Sequence, residues 1–346
     1  MAKILFVGAM YEHGSTSRGR SYEYYNLFQS LEQVADQVDS FDFLEVARGQ
    51  GREAMNRELV MTVKRNRPDL VFVVPFTDEL EPAAMDEIAS VTKTIGYFFD
   101  DMWRVAYARA WAPHFTFITT SDVNGPGKFR SAGHSNVIYS PFACNTRIFV
   151  DKGLPVKYDV SFVGQFHPVR AWYLRQLRRA GLKVHAWGHG WPDGRVGQEA
   201  MVEIFNQSRI NLNLSNTISW DVRYLSSLRR PMSETLRAWR GIWNAARHPD
   251  AKTREQVKGR HFEINACGGF QLTYYVEGLD RCYRIGDELA VYAAPDELVE
   301  KVRHFLANDD ERMAIARRGH QRTLREHTME KRFRDLLNQA GVRPSC

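Results

Sequence analysis

What most constrains this chain is a rhythm: apolar runs of strand length alternate with stretches patterned for helices, twice over. ILFVGAM (4–10), VDSFDFLE (38–45), DLVFVVP (69–75), KTIGYFFD (93–100), FTFITTS (115–121) and NVIYSPF (136–142) are separated by helical patterns near 21–35, 52–66, after Pro82 and near 102–110. Runs that are apolar throughout, with no polar alternation, are what parallel strands covered on both faces require. A turn-rich stretch, Asp151 to Pro155, interrupts the rhythm. A second series then begins with YDVSFVGQ (158–165), KVHAWGHG (183–190), INLNLS (210–215) and FQLTYY (270–275), with helices near 169–180, 198–208 and 260–267. The pattern predicts an α/β chain of two Rossmann-like, doubly wound domains facing one another across a cleft, with ligands beyond the carboxyl ends of the strands. Residues 1–153 make the first domain and 154–328 the second, and a C-terminal helix in 329–346 is able to return to the first.

A chain of 346 residues has room for two such cores. No apolar run approaches the ~20 residues needed to span a bilayer, and the N-terminus lacks a secretory pattern, so a cytoplasmic protein is expected. Cys144, Cys267, Cys282 and Cys346 contain no close pair of the kind that binds zinc or exchanges disulfides. Charge is unevenly divided: residues 1–150 hold 15 basic and 18 acidic side chains, net −3, whereas the remainder holds 32 and 23, net +9. The basic half suits phosphate-bearing ligands, nucleic acid or an anionic surface.

Residues 216–257 break the second series and are rich in arginine and tryptophan, among them Arg237, Arg240, Arg247, Trp239 and Trp243. Such a segment either packs its tryptophans on the domain or meets an acceptor or a membrane surface. The stretch KGRHFEINACGGFQLTYY (258–275) carries the strongest chemistry. Glu263 falls on the first turn of a short helix stopped by Gly268 and Gly269, with Lys258 and Arg260 at its start. Cations at a helix N-terminus attract an anion, and a carboxylate accepts hydrogen bonds from two adjacent hydroxyls, so together they suit a nucleoside diphosphate. In the first series, Gly14 and Ser15 lie in the loop Tyr11–Arg20, and Asp100 with Asp101 ends a strand; all four are expected on the acceptor side.

Several of these motifs resemble the glycosyltransferases related to spore-maturation protein CgeB. KGRHFEINACGGFQLT, GLDRCYRIGDELAVYAAPDEL and RMAIARRGHQRTLREHTMEKRF resemble their C-terminal part, and YDVSFVGQFHPVR, GYFFDDMWRVAYA and VIYSPFACNTRIF extend the likeness upstream. The resemblance covers most of the chain except 216–257 and implies the GT-B architecture, akin to the retaining family-4 enzymes. It further implies that Glu263 holds the donor ribose, Gly268 and Gly269 form its turn, and Gly164 permits close backbone approach. Arg170, Lys258 and Arg260 would face the diphosphate, His167 would lie in the donor site, and Glu255 has the spacing of a second family-4 glutamate near the transferred sugar. The implied reaction moves a sugar from a UDP-, GDP- or TDP-sugar, with no metal, to a saccharide, glycolipid, protein or nucleic acid. Peripheral membrane contact, glycosylation of nucleic-acid bases and a non-catalytic nucleotide-sugar-binding protein are the competing expectations.

Overall fold

The computed structural model describes residues 2–215, 217, 252 and 254–345. Most of the arginine- and tryptophan-rich segment therefore lies outside the described residues. The chain forms two compact units, one comprising the residues up to Asn145 together with those from Thr328 onward, the other running from Thr146 to His327. The crossing falls before the expected turn at 153 because the intervening segment is tied to the second unit: Asn206 Nδ2 donates to Val150 O (3.0 Å) and Lys152 N donates to Asn206 Oδ1 (2.5 Å).

The first unit is built on six parallel strands, β1 (Lys3–Val7), β2 (Gln37–Phe41), β3 (Leu70–Val73), β4 (Lys93–Gly96), β5 (Phe117–Thr120) and β6 (Val137–Tyr139), in the order β2-β1-β3-β4-β5-β6. Both faces are covered. Ile4, Phe6 and Phe72 pack on one side with Phe333, Leu336 and Leu337 of the terminal helix Met329–Gln339, while Leu5, Val7, Val71 and Val73 pack on the other with Met55, Leu59 and Met85. The Phe72 and Phe333 rings sit edge to face, 5.5 Å apart, which places the last helix in this unit.

The second unit repeats the plan with β7 (Tyr158–Val163), β8 (Val184–Trp187), β9 (Ser208–Asn213), β10 (Gln271–Tyr274) and β11 (Ala290–Tyr292), parallel and ordered β11-β10-β9-β7-β8. Each sheet thus reverses direction next to its first strand, β1 beside β3 and β7 beside β9. Crevices at that reversal are where open α/β sheets bind ligands.

The expected run 38–45 is not one strand. It breaks after Phe41 because the Asp42 carboxylate caps a helix, Phe43–Gln50, by accepting from Leu44 N and Glu45 N at 3.1 Å each. The strand β11 has only three residues and no clear pattern of its own. Within the expected helix 21–35, Glu23–Phe28 is wound as a π-helix.

Candidate functional site

In the second unit, Gly164, His167 and Arg170 lie beyond the carboxyl ends of β7 and β9, with Glu255 and Arg260 in the field of Arg170, whereas Gly268 and Gly269 lie before the amino end of β10. Gly164 follows β7; its N–H donates to Trp187 O (2.9 Å) and its carbonyl accepts from Trp191 Nε1 (2.8 Å). The close approach there depends on Gly188, at φ +134°, where a Cβ would lie 2.2 Å from Gly164 O. His167 caps the helix Pro168–Arg179, its Nδ1 accepting from Val169 N (3.3 Å). One turn in, Arg170 bridges the two strand ends, donating from Nε to Leu214 O (2.8 Å) and from Nη1 to Gln165 O (2.7 Å). Burial pulls its pKa down to about 10, with Glu255 opposing and Arg260 adding to the fall, so Arg170 is a desolvated cation at neutral pH.

Glu263 lies on the helix Arg260–Ala266 and is 3% exposed. Arg260 Nη1 donates to its Oε2 (2.7 Å), leaving Oε1 without a hydrogen bond among the described residues. Burial raises the Glu263 pKa and Arg260 opposes the rise. The Arg260 guanidinium is itself seated over the Phe205 ring at 5.0 Å. Lys258 begins the same turn, its N–H donating to His261 Nδ1 (3.0 Å), and full burial holds His261 neutral with a pKa of about 4. Gly268, at φ +71°, turns the chain against Asp151; Gly269 leaves no room for a Cβ, which would lie 2.8 Å from Asn211 Nδ2. These two glycines act on packing, turning the helix back into β10.

Glu255 joins the cluster through a partner that the sequence did not single out. Lys252 Nζ donates to Glu255 Oε2 (2.5 Å) and to Thr217 Oγ1, and Glu255 also accepts from Thr217 N. Lys252 is in the field of Lys258 and Arg170 as well, and desolvation lowers its pKa. Among the described residues, Arg170 and Lys252 share the field of Glu255, and Arg260 pairs with Glu263, with Lys258 close to Lys252; a cluster rich in cations suits an anion.

The first unit has a different pocket at its own sheet reversal, a cavity of about 150 Å³ at the ends of β1, β3 and β4. Asp100 lines it. Asp101 reaches its wall but is 2% exposed and holds the end of β5, accepting from Ser121 Oγ (2.7 Å), Ser121 N (3.1 Å) and Thr120 Oγ1. Gly14 and Ser15 are not among its lining. Gly14 turns at φ +65° against Leu44 with its carbonyl accepting from Arg48 Nη1, and Ser15 Oγ pairs with Ser17 Oγ (2.9 Å). Among the described residues no three His, Cys, Asp or Glu side chains group to hold a metal, and no helix is long and apolar enough to cross a membrane.

Residues 170–338 match the family model described as glycosyl transferase-like. Sucrose-phosphate synthase from Thermosynechococcus elongatus has a TM-score of 0.61 at 9% identity, over 97% of this chain and 98% of that one. HepE from Anabaena, solved with UDP and glucose, has a TM-score of 0.60 at 10% identity, over 99% and 100% of the two chains. AviGT4, a glycosyltransferase involved in avilamycin A biosynthesis, has a TM-score of 0.60 at 12% identity, over 99% and 97%. The chain has the GT-B fold. Among curated proteins, none matches it.

The matched segment of this GT-B protein begins at Arg170 and contains Glu255, Lys258, Arg260 and Glu263. Two candidate groups escaped sequence reasoning for different reasons. Lys252 stands in a stretch crowded with charge, where no spacing distinguishes it. Glu23, which lines the first unit's cavity, reads as an ordinary charged helix position until tertiary packing desolvates it.

Proposed function

We propose that this protein is a CgeB-like glycosyltransferase that takes a sugar from a nucleoside-diphosphate sugar, with UDP, GDP or TDP as the nucleotide, and transfers it to a hydroxyl with retention of configuration. The observation that carries the reading is the convergence of Arg170, Lys252, Lys258 and Arg260 at the reversal of the second sheet. In a transfer of this kind, negative charge grows on the departing diphosphate while the sugar becomes cationic. Cations fixed beforehand by Leu214 O, Gln165 O, Glu255 and Glu263 stabilise that charge without reorganising during the reaction. Glu263 Oε1 supplies the acceptor atom for a ribose hydroxyl, and the desolvated surroundings strengthen that bond.

Four cations do the neutralising that a divalent ion does elsewhere, which supports metal-independent transfer. The buried cysteines Cys144, Cys267 and Cys282 suit a reducing, cytoplasmic setting. HepE, of the same fold, was solved with UDP and glucose, in keeping with a nucleotide-sugar donor here. Calorimetric titration of the full chain with UDP, GDP and TDP tests the reading, followed by hydrolysis of the sugar conjugate of whichever binds. Binding by one nucleotide, with slow release of its sugar, is expected. If none of the three binds or raises the melting temperature, the reading fails. The anomeric configuration of the product, read by proton NMR, tests retention.

A further inference from the structure

Strand β7 is paired on both sides, Val163 standing beside Trp187 of β8 and Phe162 beside Leu212 of β9. Past its carboxyl end the ladder goes on toward β8 alone among the described residues. Gly164 N–H donates to Trp187 O (2.9 Å) and Phe166 N–H to His189 O (2.8 Å), so the N–H between them, that of Gln165, faces β9. Continued by one step, the β7–β9 register would offer it Leu214 O, but that oxygen accepts from Arg170 Nε (2.8 Å). Gln165 N–H is left without a hydrogen bond among the described residues, on an exposed residue whose own carbonyl accepts from Arg170 Nη1 (2.7 Å).

The peptide that carries this N–H is gripped from the other side. A trans peptide points its C=O and N–H in opposite directions, and Gly164 O accepts from Trp191 Nε1 (2.8 Å). Trp191 is 8% exposed, its ring edge-on to Phe162 and Phe166 at 5.9 and 5.0 Å. The loop that brings it back over β7 is closed by Gly188 N–H donating to Gly194 O (2.7 Å) and Trp191 N–H donating to Gly188 O (3.1 Å). A phenylalanine would meet the packing; the indole N–H is the part that fixes the peptide. A main-chain N–H held still beside a desolvated guanidinium makes a pair of donors suited to phosphate oxygens.

We propose that Gln165 N–H is a further donor to the diphosphate and that Trp191 is the positioning residue that aims it, acting through the carbonyl of Gly164. The inference rests on the nucleotide-sugar reading and deepens it, adding to the side-chain cations a main-chain donor and the residue that orients it.

Amide NMR of the full chain carrying nitrogen-labelled glutamine tests this at the atom concerned, with UDP, GDP, TDP and inorganic diphosphate as probes. Whichever nucleotide binds is expected to move the Gln165 amide proton downfield and to slow its exchange with solvent tenfold or more. Trp191→Phe keeps a ring against Phe162 and Phe166 but lacks the indole N–H. It is expected to weaken that nucleotide tenfold or more while the parent nucleoside binds within twofold of its affinity for the native chain. Val302→Ala, in the core of the same unit, lowers the melting temperature without touching the turn and should leave nucleotide affinity within twofold. The proposal is overturned if Trp191→Phe binds the nucleotide as the native chain does, loses nucleoside and nucleotide alike, or loses no more than Val302→Ala. If Trp191→Phe does not fold, the Gln165 amide of the native chain decides alone. A nucleotide that binds without moving that amide overturns the proposal and leaves the donor reading standing. Inorganic diphosphate that moves it, where no nucleotide binds, overturns the donor reading alone, and binding by none of the probes overturns both.

Discussion

The two sheets reverse at equivalent places, β1 beside β3 and β7 beside β9, yet the side chains just past those strands differ in kind. Beyond β7 and β9 lie Arg170, Lys252, Lys258 and Arg260, held by backbone carbonyls and two carboxylates. Beyond β1, β3 and β4 lie Glu23, Asp100, Phe76 and Tyr107, with one arginine already stacked and bonded. The comparison teaches that topology chooses the place and the first residues after each strand choose the chemistry. A crevice of the same origin is electropositive in one unit and acidic and aromatic in the other.

The most damaging change should be Arg170→Met. Removing a desolvated cation bonded to two carbonyls is expected to weaken nucleoside-diphosphate binding by ~2–5 kcal/mol in calorimetry. A loss below ~0.5 kcal/mol, within the range of ordinary surface changes, would show that the second unit's cluster is no anion site.

His261 sets an acid limit on the second unit. Its folded pKa of about 4 lies below the unfolded value of 6.5, so its contribution to stability is complete above pH 6.5 and disappears as pH falls through about 4. That loss amounts to ~3 kcal/mol across the window. Denaturant melts between pH 7 and 4 should show a flatter dependence for His261→Asn, and hydrogen exchange should show helix Arg260–Ala266 of the native chain opening first in acid. Parallel curves for the two proteins would remove His261 from this role.

Glu263→Gln is expected to keep the fold and weaken nucleotide binding by ~1.5–3 kcal/mol, the range for hydrogen bonds to charged groups. Unchanged affinity would falsify the ribose assignment. Asp101→Ala sharpens the contrast from the other side: it strands the donors of Thr120 and Ser121 and should cost ~1–3 kcal/mol of stability, with nucleotide affinity untouched. A loss of nucleotide binding in that variant, with stability intact, would blur the division of labour. The smallest effect should come from EDTA, which is expected to leave donor binding and hydrolysis as they were. Inhibition by chelator with rescue by Mg²⁺ or Mn²⁺ would return Asp100 and Asp101 to consideration as ligands.

Much of the scaffold was readable from the chain alone because buried parallel strands must be apolar throughout; Leu70 to Val73, all fully buried, show this. The end of β2 was not, since Phe41 closes the strand and Phe43 opens the helix as like apolar residues, and the Asp42 cap between them is a single residue. Three-residue β11 is too short for any periodicity to register. Glu263, Arg260 and Lys258 were legible as a local group, three neighbours on one turn. Lys252 and Glu23 were not, because charged residues in charged or helical stretches are usually solvated, and only packing shows otherwise.

Local pattern settles the strand and helix succession, the α/β class and the uneven charge of the two halves, since each depends on neighbours in sequence. Convergence is another matter. Arg170 is coupled to Glu255 and Arg260, nearly a quarter of the chain away, only because β7, β9 and β10 lie side by side. Burial then alters what the same side chains are: His261 becomes a neutral ring, Arg170 a desolvated cation, and Glu23 a carboxyl that holds its proton more tightly. Desolvation is a property of the surroundings a residue acquires on folding, so the tertiary structure alone decides it.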